Sequence, residues 1–223
     1  MTVLSASEDK RVVRVGAREL EGLLSVPEGA TGLVIFAHGS GSSRLSPRNT
    51  YVAERLQEVG LGTLLFDLLT EREADDRANV FDIPLLAERV EEAVRWARQE
   101  LKSLSVGLFG SSTGAAAALI AAAHMPGDVS AVVSRGGRVD LAAAVLDQVK
   151  APALFIVGGA DYTVLELNEQ AFRHLACEKR LDIVPGATHL FEEPGALDEV
   201  IRSTAAWFTA HLREKSDGRH EDL

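Results

Sequence analysis

Six short runs of apolar and β-branched residues recur along the chain and constrain its fold more than any other feature. They are GLVIFAHG (32–39), GLGTLLFDL (60–68), LSVGLFG (104–110), VSAVVSRGG (129–137), APALFIVGG (151–159) and KRLDIVPGA (179–187). Several lack the apolar/polar alternation of a strand with one wet face, which suits strands of a parallel sheet covered by helices on both sides. The segments between them supply those helices. SPRNTYVAERLQEVG has Pro47 for a first turn, with Val52, Leu56 and Val59 on one face. DIPLLAERVEEAVRWARQE repeats the layout with Pro84 early and Leu86, Val90, Val94 and Ala97 in a stripe. PGALDEVIRSTAAWFTAHL aligns Leu197, Val200, Ile201, Thr204, Phe208 and His211. This alternation predicts an α/β fold, a doubly wound sheet in one domain over residues 1–213. KRVVRVGARELEGLLSVPEG reads as an antiparallel hairpin at the sheet edge, and polar residues 214–223 as a flexible tail.

Composition narrows the function. No apolar stretch reaches the roughly 18 residues of a membrane span, and the N-terminus turns charged without a signal core. The single cysteine, Cys177, is expected to pack inertly in a helix and leaves no cysteine cluster for zinc. A net charge of −10 speaks against nucleic-acid partners. These points predict a soluble, cytoplasmic protein with no membrane partner. A homodimer is common by base rate but has no signature here.

In an open α/β sheet, ligands bind at the carboxyl ends of the strands, so the residues just past each run matter most. Gly110–Gly114 reads G-S-S-T-G after one strand and before an alanine-rich helix. A nucleophile on so sharp a turn needs small neighbours two residues away, which makes Ser112 the candidate nucleophile and Ser111 a filler. By itself the motif reads more plainly as a helix N-cap. Asp161 follows the 151–159 run and His189 follows the 179–187 run. Serine, aspartate and histidine then come in the order of a hydrolase triad. His189 is the expected base and Asp161 its orienting acid, ahead of Asp140 and Asp182. Activity should fall in acid as the base protonates. The oxyanion donors are expected to be the backbone N–H groups of Thr113 and Ser40, the latter in HGSGSS, whose His38 shapes the loop.

With HGSGSS (38–43), GSSTG (110–114), GGAD (158–161) and GATHLFEEPG (186–195) together, the sequence resembles the α/β-hydrolase superfamily, and within it the dienelactone-hydrolase-like group. The resemblance implies an eight-stranded, mostly parallel sheet and a serine hydrolase acting on esters. Dienelactone hydrolases proper have a cysteine nucleophile, and Ser112 in its place favours a carboxylesterase. Similar domains are sometimes linked to phosphoribosyltransferase-like domains; none is expected in this chain.

No inserted cap follows the 129–137 run, and the irregular stretch LTEREADDRANVFDIP alone can overhang the site. A small or short-acyl soluble ester is therefore the expected partner, with no cofactor and no metal. Arg44, Arg48 and Arg135 fall near the active edge. A guanidinium fork there suits an anionic substrate group, which makes Arg44 and Arg135 candidate substrate-binding residues. Only five of the 23 basic residues are lysine, so structural ion pairing is the plainer expectation for them. Two other readings share these residues: acyl transfer or perhydrolysis by the same triad, and a non-catalytic ligand-binding module on the scaffold.

Overall fold

The apolar runs become the centre of an eight-stranded sheet. The computed structural model describes residues 10–212, with strands β1 (Arg11–Val15), β2 (Leu20–Ser25), β3 (Gly32–Ala37), β4 (Gly62–Phe66), β5 (Ser105–Ser111), β6 (Val129–Arg135), β7 (Ala153–Gly158) and β8 (Lys179–Val184). Their spatial order is β1-β2-β4-β3-β5-β6-β7-β8. The edge hairpin β1–β2 and the β2–β4 pair are antiparallel, and the remaining neighbours are parallel. Every residue of β3, β4, β5 and β7 is buried, which is why these segments show no alternation. β8 pairs on one side only and keeps more polar, half-exposed positions.

The helices are α1 (Pro47–Glu58), α2 (Glu71–Ala74), α3 (Arg77–Val80), α4 (Ile83–Glu100), α5 (Thr113–His124), a 3₁₀ helix (Val139–Gln148), α6 (Tyr162–His174) and α7 (Ala196–His211). Residues of α1 and α7 share one core with one face of the sheet, while α4, α5, the 3₁₀ helix and α6 share a second. Ser46 and Asp82 cap α1 and α4 by accepting from Asn49 N and Leu85 N, ahead of the first-turn prolines. Val52 and Leu56 are fully buried, each worth about 1.5–3 kcal/mol. Helix α5 is buried nearly all round, and its alanines let it lie against the sheet on one side and α4 on the other.

Three expectations are corrected. Val59 is the C-cap of α1 and half exposed, because the helix ends before the stripe returns to the core. The stretch 69–84 is not irregular: Thr70 forms a capping box with Glu73 that starts α2, and Asp76 caps α3. Cys177 lies beyond the end of α6, in the link to β8, where burial pushes its thiol pKa up. The segment after β6 winds into the 3₁₀ helix, which packs into the core through Val139, Ala142 and Leu146 rather than standing over the sheet as a cap. Among the described residues no helix is long and apolar enough to cross a membrane. The proposed tail lies outside them.

Candidate active site

The junction of β5 and α5 is built from backbone packed on backbone. A Cβ on Gly110 would stand 2.4 Å from Ala115 Cα, and one on Gly114 would stand 2.1 Å from Ala37 O. Only glycine fits there, and the chain turns between the two with Ser112 at φ 50° and ψ −122°. A non-glycine residue held in such a conformation costs about 1–3 kcal/mol. The N–H of Ser112 donates to Arg135 O at 3.3 Å, and its carbonyl accepts from Ala115 N at 3.1 Å and Arg138 N at 3.0 Å. Ser112 occupies the N-cap position of α5, yet its hydroxyl makes no capping bond. The N-cap alternative fails on that observation. Ser111 is buried at the end of β5, as a filler should be.

His189 lies in the loop between β8 and α7. Its Nδ1 is 2.7 Å from Asp161 Oδ2, so Nδ1–H donates to the carboxylate and Nε2 is left as the basic nitrogen. The rival acids are engaged elsewhere. Asp140 takes both of its bonds from Arg138 at 2.9 Å, and Asp182 accepts from Arg180 at 2.8 Å and Ser203 at 2.7 Å. His189 and Ser112 both lie against the end of β6. A Cβ on Gly136 would lie 3.3 Å from His189 O and 3.5 Å from its Nδ1, next to the residue whose carbonyl holds Ser112 N. No hydrogen bond joins Ser112 Oγ to His189 in this structure. Catalytic bonds are commonly long before substrate arrives.

Two supports escaped the sequence reading. The N–H and Oγ1–H of Thr188 donate to Glu193 Oε1 at 3.0 and 2.6 Å, closing the His189 loop. Those bonds hold the Glu193 carboxyl below the usual carboxylate range. Phe191, at φ 54° and fully buried, anchors the same loop. The second support is Asn168, whose Nδ2 donates to Gly137 O and Val164 O, both at 2.8 Å, in full burial. It fixes the segment on which Ser112 and His189 both rest. Polar residues inside the α6 pattern were the available signal.

The HGSGSS loop lies against the elbow, since a Cβ on Gly39 would be 2.9 Å from Ser112 Cβ. The structure brings Ser40 and Thr113 together but not with both amides free: Ser40 N–H donates to Thr113 Oγ1 at 2.9 Å. Thr113 opens α5, and its N–H is among those the helix itself cannot satisfy. His38 shapes the loop as expected. Its Nδ1–H donates to Gly39 O at 3.0 Å and its Nε2 accepts Leu68 N–H at 3.1 Å. Burial lowers its pKa, opposed by the Gly39 bond and by Asp67.

A cavity of about 970 Å³ adjoins this loop, lined by Gly39–Arg44, Asp67–Glu71, residues of the β1–β2 hairpin, Val80 and Leu86. Arg44 stands in its wall, but its guanidinium pairs with Asp67 and Glu21, and its N–H donates to Asp67 Oδ1 at 2.8 Å. Arg48 pairs at the surface with Glu192 at 3.0 Å. Arg135 differs from both. It is 8% exposed, and its Nε and Nη1 are closed off without a hydrogen-bond partner. Burial, with Arg48 beside it, pushes its pKa down to about 10.

The sequence matches the model of the dienelactone hydrolase family over residues 20–212. A solved structure, the dienelactone hydrolase from Anabaena variabilis, is 54% identical with a TM-score of 0.88, covering 93% of this chain and 99% of that one. Curated relatives from two strains of Mycobacterium tuberculosis, each named "Putative phosphoribosyl transferase", are 55% identical over 207 residues, which is 92% of this chain and 46% of theirs. The chain thus spans about half the length of the curated relatives it matches. Est1E from Butyrivibrio proteoclasticus, 15% identical, overlays with a TM-score of 0.76 over 90% of this chain and 98% of its own. It shares the α/β-hydrolase fold.

Proposed function

The chain belongs to the dienelactone hydrolase family and is a hydrolase; from that starting point we propose that it is a serine hydrolase of carboxylic esters with small or short acyl groups. Ser112 Oγ attacks the ester carbonyl carbon while its proton passes to Nε2 of His189. Asp161 keeps that imidazole in the Nδ1–H tautomer and stabilises the imidazolium. The oxyanion that forms takes the N–H groups of Thr113 and Ser40, displacing Thr113 Oγ1 from the second. The alkoxide leaves with the proton from His189. Water, deprotonated by the same nitrogen, then releases the acyl group from Ser112.

One observation carries this reading. A serine stands where a helix cap belongs, in a backbone conformation that a cap does not need, and its hydroxyl caps nothing. The 3₁₀ helix packed into the core after β6, with no cap inserted there, supports the preference for small esters. The transferase name of the mycobacterial relatives belongs to proteins of which this chain spans 46%, and the proposal concerns the shared part.

Fluorophosphonate labelling followed by intact-mass spectrometry tests it. One adduct is expected on the wild type and none on Ser112→Ala, with labelling slowed about 10³–10⁴-fold in Asp161→Asn, since the wrong imidazole tautomer is no base. An adduct on both the wild type and Ser112→Ala, or on neither, would overturn the assignment.

A further inference from the structure

Of the two amides expected to hold the oxyanion, one already has a partner, and that partner is a hydroxyl. Ser40 N–H donates to Thr113 Oγ1 at 2.9 Å, joining residues 73 positions apart in the chain. The bond uses the hydroxyl as an acceptor only. Among the described residues nothing takes the Thr113 hydroxyl proton in return. Thr113 is 3% exposed, and a buried hydroxyl normally uses its donor as well as its lone pairs.

Both sides of this bond are fixed by packed backbone. On the helix side, a Cβ on Gly114 would stand 2.1 Å from Ala37 O and 2.5 Å from His38 O, so the first turn of α5 rests on the start of the HGSGSS loop. On the loop side, Gly39 lies against Ser112 Cβ and Ser111 O. Its carbonyl accepts from His38 Nδ1–H at 3.0 Å and from Ser42 N–H at 3.2 Å. These contacts hold the gap between Ser40 N and Thr113 N at one width. The side chain in the gap adds little freedom, because threonine in a helix chooses between two rotamers.

An oxyanion bonded to both amides has to enter that gap. Thr113 N and Oγ1 belong to one residue, and Oγ1 already stands at hydrogen-bond distance from Ser40 N. An oxygen about 2.9 Å from both amides therefore comes to lie beside Oγ1. Its negative charge meets either a hydroxyl lone pair or the hydroxyl proton. Rotation about the Cβ–Oγ1 bond is enough to present the proton, and no other acceptor competes for it. We propose that the Thr113 hydroxyl is a third donor to the oxyanion. It holds Ser40 N–H in the free enzyme and, once the ester oxygen takes that amide, donates its own hydrogen bond to the same oxygen; this rests on the esterase reading, which supplies the oxyanion. The proton stays on Oγ1 throughout, and the bonds made and broken remain those at Ser112 and His189. An O–H donor to a charged oxygen makes one of the short, strong bonds, and it strengthens only as the charge develops.

Two substitutions remove the hydroxyl and one keeps it. Thr113→Val preserves the shape of the side chain, Thr113→Ala removes its bulk as well, and Thr113→Ser retains the donor without the methyl. The oxyanion forms in both acylation and deacylation, so on 4-nitrophenyl acetate kcat of the valine and alanine variants should fall about 10²–10³-fold, the loss found for one oxyanion donor. KM should stay within about twofold, because the neutral carbonyl of the bound ester gains little from the third donor. Thr113→Ser should stay close to the wild type. Trifluoromethyl propyl ketone adds Ser112 Oγ to its carbonyl and leaves an alkoxide in the same gap. Its inhibition constant should rise in the valine and alanine variants by the factor that kcat/KM falls.

If either the valine or the alanine variant keeps the wild-type kcat/KM, or exceeds it, the third donor is overturned, and the hydroxyl does no more than occupy Ser40 N–H until substrate arrives. A serine variant that falls as far as the valine one overturns it too, because the methyl and its packing would then carry the effect. So does an inhibition constant for the ketone that fails to follow kcat/KM. In each of these cases the esterase reading stands. A wild type with neither turnover on any ester nor a fluorophosphonate adduct sinks that reading instead, and the third donor with it.

Discussion

The junction after β5 and the segment after β4 end at the same rim of the sheet, but they are made of different materials. Around Ser112 the contacts are backbone against backbone: Gly110 on Ala115, Gly114 on Ala37 and Ser112 on Arg135. Around α2 and α3 they are side-chain hydrogen bonds and ion pairs. Thr70 and Glu73 cap each other, Asn79 Nδ2 donates to Glu73 O at 2.9 Å, and Arg89 reaches Glu73 at 3.2 Å. Backbone has no rotamers to relax into, so the first region fixes where Ser112 stands. The second lines the cavity with replaceable groups. The fold of the elbow and the lining of the cavity are thereby carried by separable parts of the chain.

The sharpest way to break this comparison is Gly114→Ala. Its new methyl would lie 2.1 Å from Ala37 O and 2.5 Å from His38 O, and Ala37 is held in β3 in register with Gly110 of β5. A loss of more than about 4 kcal/mol, or failure to fold, is expected by urea unfolding. A stable, active variant would show that the elbow is softer than its contacts imply.

His38 comes next in size because it ties the two regions together, through Gly39 O on one side and Leu68 N on the other. Burial lowers its pKa in the folded protein, while the unfolded chain takes up the proton near pH 6.5, the ordinary histidine value. Below that pH the unfolded state binds more protons, so stability present at neutral pH is lost as pH falls from about 6.5 toward the lower folded value. The acid-side decline in urea midpoint should be shallower in His38→Gln than in the wild type. Parallel curves would mean that His38 stays uncharged at no cost.

Thr70→Ala should do least. Loss of the capping box costs about 1 kcal/mol and loosens α2, and the KM for small esters should move while kcat stays within about twofold. A large fall in kcat would mean that the cavity wall also positions the nucleophile, and the separation of roles would fail.

Much of this could be read from residues alone, for reasons of range. Periodicity of 3.6 or its absence is a local property, so α1, α4, α7 and the buried strands were legible. So was the glycine spacing about Ser112, because a turn is specified within five residues. The chain order of Ser112, Asp161 and His189 followed from placing each after a strand. Ends of elements were harder. Val59 left its stripe because α1 stopped one residue short of it, and α2 and α3 hid in a charged stretch whose caps, Thr70 and Asp76, went unused as signals.

Pairing was decided only in three dimensions. Asp140 and Asp161 are alike in the sequence, each an acid that follows a strand run, and the fold gives one to Arg138 and the other to His189. Arg44 and Arg135 are equally alike, and the fold neutralises the first and buries the second without a partner. The Asp161–His189 pair and the pairs of Arg44 with Glu21 and Asp67 join residues more than twenty positions apart in the chain, and they turn on distance and desolvation. Both quantities depend on the register of the sheet, and neither is a property of any single segment.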